Sequence, residues 1–168
     1  MVKYFSRRSA LALLAASSAL PGGLRADTVI DLNWSDLLPE GETYLPPLVQ
    51  DFIEHTPETI GRGQPPSSGL RTDWNGRIVR MPGFIVPLEF EDDGVRAFIL
   101  VPYVGACIHV PPPPANQLIF VTAPEPVENQ GLFAAVTVTG MFGTASVSTQ
   151  LAQVGYALSL EKIEPYRF

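Results

Sequence analysis

One short segment carries the residues whose types and spacing could do metal chemistry. The segment "GACIHVPPPPANQ" (105–117) holds the single cysteine of the 168-residue chain, Cys107, and one of its two histidines, His109. If the backbone is extended here, residues two apart place their side chains on the same face, with Cα atoms about 6–7 Å apart. A thiolate beside an imidazole suits zinc, and copper less well, so the pair predicts a metal site.

Two ligands do not complete such a site, because zinc takes three or four protein ligands. The other histidine, His55, lies in "PPLVQDFIEHT" (46–56), whose apolar spacing predicts a short amphipathic helix. Asp51 lies one helical turn before His55, on the same side of that helix. If the helix packs beside the Cys–His segment, the predicted ligands are Cys107, His109, His55 and Asp51.

Other interpretations of the segment stay open. Cys107 could pack in the core as a small apolar residue while His109 caps a strand end. A Cys–His nucleophile is a further alternative, and it would need a third orienting group such as Asn116. The four prolines Pro111–Pro114 predict a stiff polyproline rod, which could fix the segment or offer a docking strip to a partner. No sequence signature of a known catalytic motif is present, so we do not expect an enzyme.

The N-terminus predicts export. A basic start with Lys3, Arg7 and Arg8 precedes an apolar run of about a dozen residues, too short for a membrane span, which needs roughly 20. The pair Arg7–Arg8 is typical of a twin-arginine signal, and cleavage is expected near Ala26. We therefore expect a periplasmic protein with no stable membrane insertion after cleavage.

The charge and the cysteine count exclude several classes of function. The chain has 11 basic and 17 acidic residues, a net charge of −6. Removing residues 1–26 would take four basic residues and no acidic one, leaving seven against 17, a net charge of −10. A nucleic-acid partner is not expected, because a binder of phosphates needs a basic surface. One cysteine cannot form an internal disulfide, which leaves packing, metal binding or reactivity for Cys107.

The remaining pattern predicts a mainly β fold. Strand-like runs cover residues 77–90, 95–107, 118–122, 133–142 and 155–163, and "GFIVPLEF" is expected to pair with "AFILVPYVG" through an Asp93–Gly94 hairpin. Gly140 predicts a bulge or bend, whereas residues 124–130 and 144–153 read as non-strand connections. Short strands broken by prolines favour a small five-stranded OB-like barrel with a short helical N-terminal extension. The predicted organisation is a signal peptide (1–26), an extension (27–72) and a β-barrel domain (73–168).

Several motifs together resemble one family. They are "WSDLLPE" (34–40), "MPGFIVPLEF" (81–90), "FILVPYVGACIH" (98–109), "GACIHVPPPPANQ" (105–117), "VTVTGMF" (136–142) and "GYALSLEKIE" (155–164). They resemble a bacterial exported family described as domain of unknown function 3299. The resemblance implies a periplasmic or lipid-anchored protein, in some cases encoded beside ABC-transporter components for zinc or other metals. It implies no enzyme activity.

Two functions are therefore expected as alternatives. The first is an exported periplasmic metal-binding accessory protein for zinc homeostasis or for an ABC transporter. The second is a non-catalytic adaptor that binds proteins of an envelope transporter complex without a metal. In the second, Cys107 belongs to the core and the prolines form part of a binding surface.

Overall fold

The computed structural model describes residues 28–43, 63–91, 94–107, 111–128 and 131–166. The predicted signal peptide and the predicted helix over 46–56 lie outside these ranges. Two 3₁₀ helices and six strands are present in the described part: 3₁₀ helices Trp34–Leu37 and Ala115–Gln117, and strands β1 (Ile30–Asp31), β2 (Arg77–Glu91), β3 (Gly94–Val101), β4 (Ile119–Val127), β5 (Ala135–Ser148) and β6 (Gln153–Pro165).

The six strands form one sheet in the order β1-β2-β3-β4-β6-β5, and β2 also pairs with β5. That last pairing makes the hydrogen bonding ring-like through β2, β3, β4, β6 and β5, while β1 adds to β2 as a two-residue parallel strand. The β4–β6 pair is parallel, and the β2–β3, β3–β4, β2–β5 and β5–β6 pairs are antiparallel. The expectation of a mainly β protein is confirmed.

Strand β2 pairs with β5 along one edge, and with β1 and then β3 along the other. Phe84 is paired with Ala135 of β5 on one side and with Val101 of β3 on the other. The preceding residue is Gly83, where a Cβ atom would lie 2.7 Å from Cγ of Leu100. A glycine is needed because any side chain would collide with β3 where the strand bends.

An inner cluster of apolar side chains fills the space that the ring of strands encloses. All five ring strands contribute to it, and two leucines of the N-terminal segment, Leu32 and Leu37, complete it. Alternation assigns residues to this side, since Phe98 and Leu100 of β3 lie in the inner cluster while Ile99 and Val101 do not.

An outer cluster covers the opposite face of the sheet. Its fully buried members lie on β2, β3, β6 and the connections before β4 and β6: Val86, Ile99, Val101, Ala106, Leu118, Ala152 and Val154. Further apolar residues, including Phe84, Phe120 and Cys107, pack against it while only partly buried. The connection between β3 and β4 thus folds back onto the sheet.

The expected hairpin between the first two long strands is confirmed, because Ile85 pairs with Leu100 and Val86 with Ile99. The expected irregularity at Gly140 is also confirmed by a register shift between Thr139 and Gly140 against β6. A Cβ atom on Gly140 would collide with the carbonyl oxygen of Ser159.

Three predicted strand limits are wrong. Strand β3 ends at Val101 rather than at Cys107, since Pro102 has no N–H to donate to the ladder. Strand β5 continues to Ser148 where a loop or helical turn was expected, held by pairs with β6. Strand β4 likewise continues to Val127 through the expected polar loop, because Val95 of β3 pairs with it there.

Two extended segments lie against the ring. The arm (residues 28–43) includes β1 and the first 3₁₀ helix, and the indole N–H of Trp34 donates to the carbonyl of Pro82 at 2.9 Å. The strap (residues 63–72) precedes β2 and has no regular secondary structure. Within the described ranges, no helix has the length and apolar character needed to cross a membrane.

Candidate functional site

Cys107 lies in the turn after β3 and not on a strand. Its φ angle is +69°, a left-handed conformation that few residues other than glycine adopt. The prediction that Cys107 and His109 share one face of an extended strand is therefore wrong, because Cys107 is not extended. Strand β3 ends at Val101, and the turn that follows directs Cys107 toward the outer cluster.

The environment of the Cys107 thiol favours its neutral form. Burial in the outer cluster raises its pKa from 9.0 to about 12. Desolvation is the cause, because an apolar environment disfavours the thiolate. A thiol that stays protonated at neutral pH is a poor nucleophile. The Cys–His nucleophile is thus the least supported of the sequence-based interpretations.

The other predicted ligands, His109, His55 and Asp51, lie outside the described residues. Within the described ranges, no group of three or more His, Cys, Asp and Glu residues is placed to hold a metal ion. The structure therefore positions one of the four predicted ligands and leaves the metal set a prediction.

The proline run is fixed to the body of the protein by its carbonyl groups. Pro113 and Pro114 are buried. The carbonyl of Pro113 accepts a hydrogen bond from Nε2 of Gln64 at 2.8 Å, and that of Pro114 accepts the N–H of Gln117 at 2.8 Å. Because prolines donate no backbone hydrogen bonds, these carbonyls are the groups through which the run can be fixed. These two bonds fix Pro113 and Pro114 to the strap and to the 3₁₀ helix before β4.

Asn116 and Gln117 are buried polar residues that connect the proline run to the arm and the strap. Nε2 of Gln117 donates to the carbonyl of Trp34 at 3.0 Å, in the arm. Nδ2 of Asn116 donates to Oγ of Ser68 and to the carbonyl of Gly69, both at 3.0 Å, in the strap. Nε2 of Gln117 also donates to the carbonyl of Asn116 at 2.9 Å, so the two side chains bond backbone groups both within their own loop and across the fold.

Tyr156 of β6 is a second connecting residue, which the sequence reasoning missed. Its hydroxyl donates to the carbonyl of Leu37 at 3.0 Å and accepts the backbone N–H of Arg71 at 2.8 Å. The side chain is fully buried, and its ring stacks on Phe142 with centroids 5.0 Å apart. The sequence signal for this role was a tyrosine at an inward-facing position of a predicted strand. A buried hydroxyl needs hydrogen-bond partners, so such a tyrosine indicates contacts with other segments.

Gln64 fastens the start of the strap to β6 as well as to the prolines. Its Nε2 donates to the carbonyl of Gln153 at 2.7 Å, and its Oε1 accepts the N–H of the same residue at 2.8 Å. The segment after Cys107, the arm and the strap are consequently joined by three side-chain amides and one phenol.

Comparison with known proteins shows a family of similar sequences and a similar solved structure. The family model described as "Protein of unknown function (DUF3299)" matches residues 34–165. The crystal structure of a DUF3299 family protein from Pseudomonas aeruginosa PAO1, at 2.45 Å resolution, is similar with a TM-score of 0.67 and 33% sequence identity. The similarity covers 84% of this chain and 98% of that one.

No curated protein matches the chain. The matched range contains β2 to β6, the 3₁₀ helix of the arm, and the cysteine, proline and Asn–Gln residues discussed above. The chain belongs to the DUF3299 family of proteins of unknown function.

Proposed function

We propose that this protein is an exported periplasmic metal-binding accessory protein, with zinc as the metal and an envelope ABC transporter as its context. One observation carries the proposal: a free thiol, Cys107, is held in a left-handed conformation at the entrance to an anchored proline run. Residues other than glycine keep such conformations where the surrounding structure enforces them, often at functional sites. The family resemblance supports the transporter context.

The chemistry of the donor fits zinc in one specific way. A thiol whose pKa is raised to about 12 needs a strong local cation before it becomes a thiolate. Zinc supplies that charge and deprotonates a coordinating thiol, so binding would release a proton. Within the described residues, the sulfur of Cys107 is a soft donor that is not fully buried.

The ligand set that we propose is Cys107 with His109, His55 and Asp51. His109 follows Cys107 by two residues, ahead of the anchored prolines. His55 and Asp51 precede the strap, whose first described residues are tied to Pro113 through Gln64. This proximity in the chain supports their approach to Cys107.

We also propose that the ring of strands is an OB-like barrel. If β2 to β6 are counted as strands one to five, their order around the ring is 1-2-3-5-4, and strands three and five are parallel. Five strands with Greek-key connections are the pattern of that fold. Folds of this kind carry many functions, so the proposal for function depends on the site.

The decisive experiment is a metal titration of the purified, metal-stripped protein. Zinc and copper are added to wild type, Cys107→Ser and His109→Ala, with calorimetry and pH-stat measurement of released protons. We expect zinc to bind one site, to release about one proton from Cys107 near pH 7 and to raise the melting temperature. Each substitution should weaken zinc binding at least about tenfold.

Val104→Ser is the matched control, because Val104 is in the same turn and is 56% exposed. It should leave zinc affinity unchanged. His55→Ala and Asp51→Ala then test the remaining ligands separately. Unchanged affinity in both Cys107→Ser and His109→Ala would place any metal elsewhere and refute the site. Mass spectrometry of the periplasmic protein tests export, with cleavage expected near Ala26.

The non-catalytic adaptor is the second candidate, and the outer cluster favours it. Val104 and Leu132 are more than half exposed, and each adjoins an aromatic residue packed on that cluster, Tyr103 and Phe133. The expected partner is a component of an envelope ABC transporter. Copurification of that transporter should fall with Val104→Asp and Leu132→Asp. Undiminished copurification with both variants would reject this surface.

A further inference from the structure

A groove crosses the solvent-facing side of β2, β5 and β6. Its volume is about 710 Å³, and it is lined by Arg80, Thr137, Lys162, Glu164 and Pro165. Neighbouring residues of the same strands, Val79, Val138 and Ile163, pack in or against the inner cluster, so strand alternation directs the four polar lining residues to solvent. None of the lining residues belongs to either apolar cluster, so the groove is distinct from the surface that holds Cys107.

The sheet register places two cations opposite each other across this groove. Arg80 of β2 pairs with Thr139 of β5, and Thr139 pairs with Lys162 of β6. The Cα atoms of Arg80 and Lys162 are therefore two strand spacings, roughly 10 Å, apart at the same height of the sheet. Both side chains are long enough to reach one group that lies between them, above β5.

The lining carries an excess of positive charge in an acidic protein. Two cations and one carboxylate give it a net charge of +1, whereas the chain as a whole has −6. The excess favours an anionic ligand in the groove, while the acidic remainder of the surface disfavours the approach of an anionic membrane. We therefore expect a small, free anion rather than a lipid surface.

Arg80 has donors available for such a ligand. Within the described residues its side chain bonds only Asp31, through Nη1 at 3.3 Å, and Asp31 lies at the edge of β2 that is remote from β5. A guanidinium has five N–H groups in a planar fork, which suits an oxyanion. The Asp31–Arg80 pair is also well exposed, so it competes little with a bound anion.

Glu164 makes the groove selective among oxyanions. It pairs with Thr137 in the register and bonds Nζ of Lys162 at 2.9 Å, so an anion held by that lysine is within its reach. A carboxylate only accepts hydrogen bonds, and it repels an anion that has no proton to donate. Hydrogen phosphate satisfies both requirements, because its oxygens accept from the cations while its P–OH group donates to the carboxylate.

We propose that this groove binds inorganic hydrogen phosphate. Arg80 and Lys162 bond its oxygens from two sides, and the hydroxyl of Thr137 supplies a third donor from the floor. Glu164 accepts the hydrogen bond from P–OH. Sulfate and the phosphodiester of a lipid headgroup have no such proton at neutral pH, so Glu164 disfavours them.

The test is an NMR titration of the purified protein with sodium phosphate, and separately with sodium sulfate and methyl phosphate, at pH 7.5 and constant ionic strength. Inorganic phosphate keeps a proton at this pH, whereas sulfate and most of the methyl phosphate have none. We expect the amides of Arg80, Thr137 and Lys162 to shift saturably with phosphate, with a dissociation constant of about 1 mM or less. Sulfate and methyl phosphate should bind at least about tenfold more weakly.

Arg80→Ala and Lys162→Ala should each weaken phosphate binding at least about tenfold. Arg77→Ala is the matched control, because it removes a cation of β2 outside the groove lining and should leave the affinity unchanged. Glu164→Gln should bind sulfate and phosphate about equally, since an amide can donate to either anion. The absence of saturable binding, equal phosphate affinity in wild type and Arg80→Ala, or equal affinity of wild type for phosphate and sulfate would overturn the proposal.

Discussion

The inner and outer clusters occupy opposite faces of the same strands but are closed in different ways. The inner cluster receives side chains from all five ring strands, and most of its described members are fully buried. The outer cluster is closed by residues of connections: Tyr103, Ala106, Cys107 and Leu118 between β3 and β4, and Leu151 and Ala152 before β6. About half of its described members keep some exposure.

The difference shows which part of the molecule carries stability and which part is available for function. Strand alternation determines most of the inner cluster, which Leu32 and Leu37 of the arm complete, and its buried side chains have no access to ligands. The free thiol of Cys107, in its left-handed turn, packs against the outer cluster. Residues near incompletely buried apolar surface are those that can bind a metal or a partner without disturbing the core.

The largest expected effect on stability comes from replacing a phenylalanine by alanine in the inner cluster, compared with the same change in the outer cluster. Phe98 is fully buried in the inner cluster, whereas Phe120 of the neighbouring strand packs on the outer cluster and is partly exposed. We expect Phe98→Ala to lower the free energy of unfolding by about 3–5 kcal/mol. Phe120→Ala should cost roughly half as much or less, because less area leaves water on folding.

Urea denaturation of both variants measures this difference. Phe98→Leu is the matched control, as it keeps an apolar side chain in the same place and should recover much of the loss. Equal costs for Phe98→Ala and Phe120→Ala would show that the outer cluster stabilises the fold as strongly as the inner one.

A smaller effect is expected where the inner cluster meets the arm and the strap. Tyr156→Phe keeps the ring but removes the hydroxyl, leaving the carbonyl of Leu37 and the N–H of Arg71 without that partner. We expect a loss of about 1–3 kcal/mol. Hydrogen exchange should show a faster Arg71 amide, while amides of the β2–β5 ladder change only with global stability.

If the Arg71 amide exchanges at the wild-type rate in Tyr156→Phe, the phenol does not hold the strap. Gln64→Ala provides the comparison from the outer side, since it removes the bonds to Pro113 and Gln153. It should loosen the start of the strap without changing exchange at Arg71.

The smallest effect at neutral pH, and the clearest pH dependence, is expected at Cys107. Below about pH 9 the thiol is protonated in both the folded and the unfolded chain, and burial raises the folded pKa to about 12. Between these values the unfolded chain has lost the proton while the folded protein retains it. Stability due to Cys107 is therefore present below pH 9 and is lost as the pH rises toward 12.

Unfolding free energies measured from pH 7 to pH 11 test this prediction. Cys107→Ala should decline less steeply with pH than wild type. Because burial also raises the pKa of Tyr156, the comparison is repeated in Tyr156→Phe, where the Cys107 contribution should remain. Parallel curves for wild type and Cys107→Ala would contradict the desolvated position of the thiol.

The reactivity of the same thiol gives a further measurement. Iodoacetamide reacts with the thiolate, so alkylation of the folded protein at pH 7.5 should be more than about tenfold slower than in urea. The rate should rise with pH up to the limit of folding. A folded-state rate as fast as the unfolded one would reopen the thiol-enzyme interpretation.

Much of the fold could be predicted from the sequence because its determinants are local. The β2–β3 hairpin follows from two apolar β-rich runs around a glycine turn, and the irregularity at Gly140 follows from a glycine inside a strand. Predictions failed where pairing with a neighbouring strand lengthens a strand whose own β-pattern in the sequence is weak. Strand β5 runs to Ser148 because β6 pairs with it there, although the residues "GTASVS" read as a loop.

The candidate site was less predictable for the same reason. The sequence identified Cys107 as unusual by its rarity, but it placed the residue on a strand that ends six residues earlier. The partners of Asn116 and Gln117 in the strap and the arm lie 47 and 83 residues away along the chain. Contacts at such separations depend on packing and cannot be read from local pattern.

By itself, the sequence determined a mainly β chain with acidic charge, one unpaired cysteine and a stiff proline segment, since composition and short-range periodicity set these properties. Tertiary structure alone decided that the prolines, Asn116, Gln117 and Tyr156 bind the arm and the strap to the ring. It also decided that Cys107 is a desolvated thiol in a left-handed turn. The physical reason is that burial and hydrogen-bond partners come from segments that are distant in sequence and meet only when the ring closes.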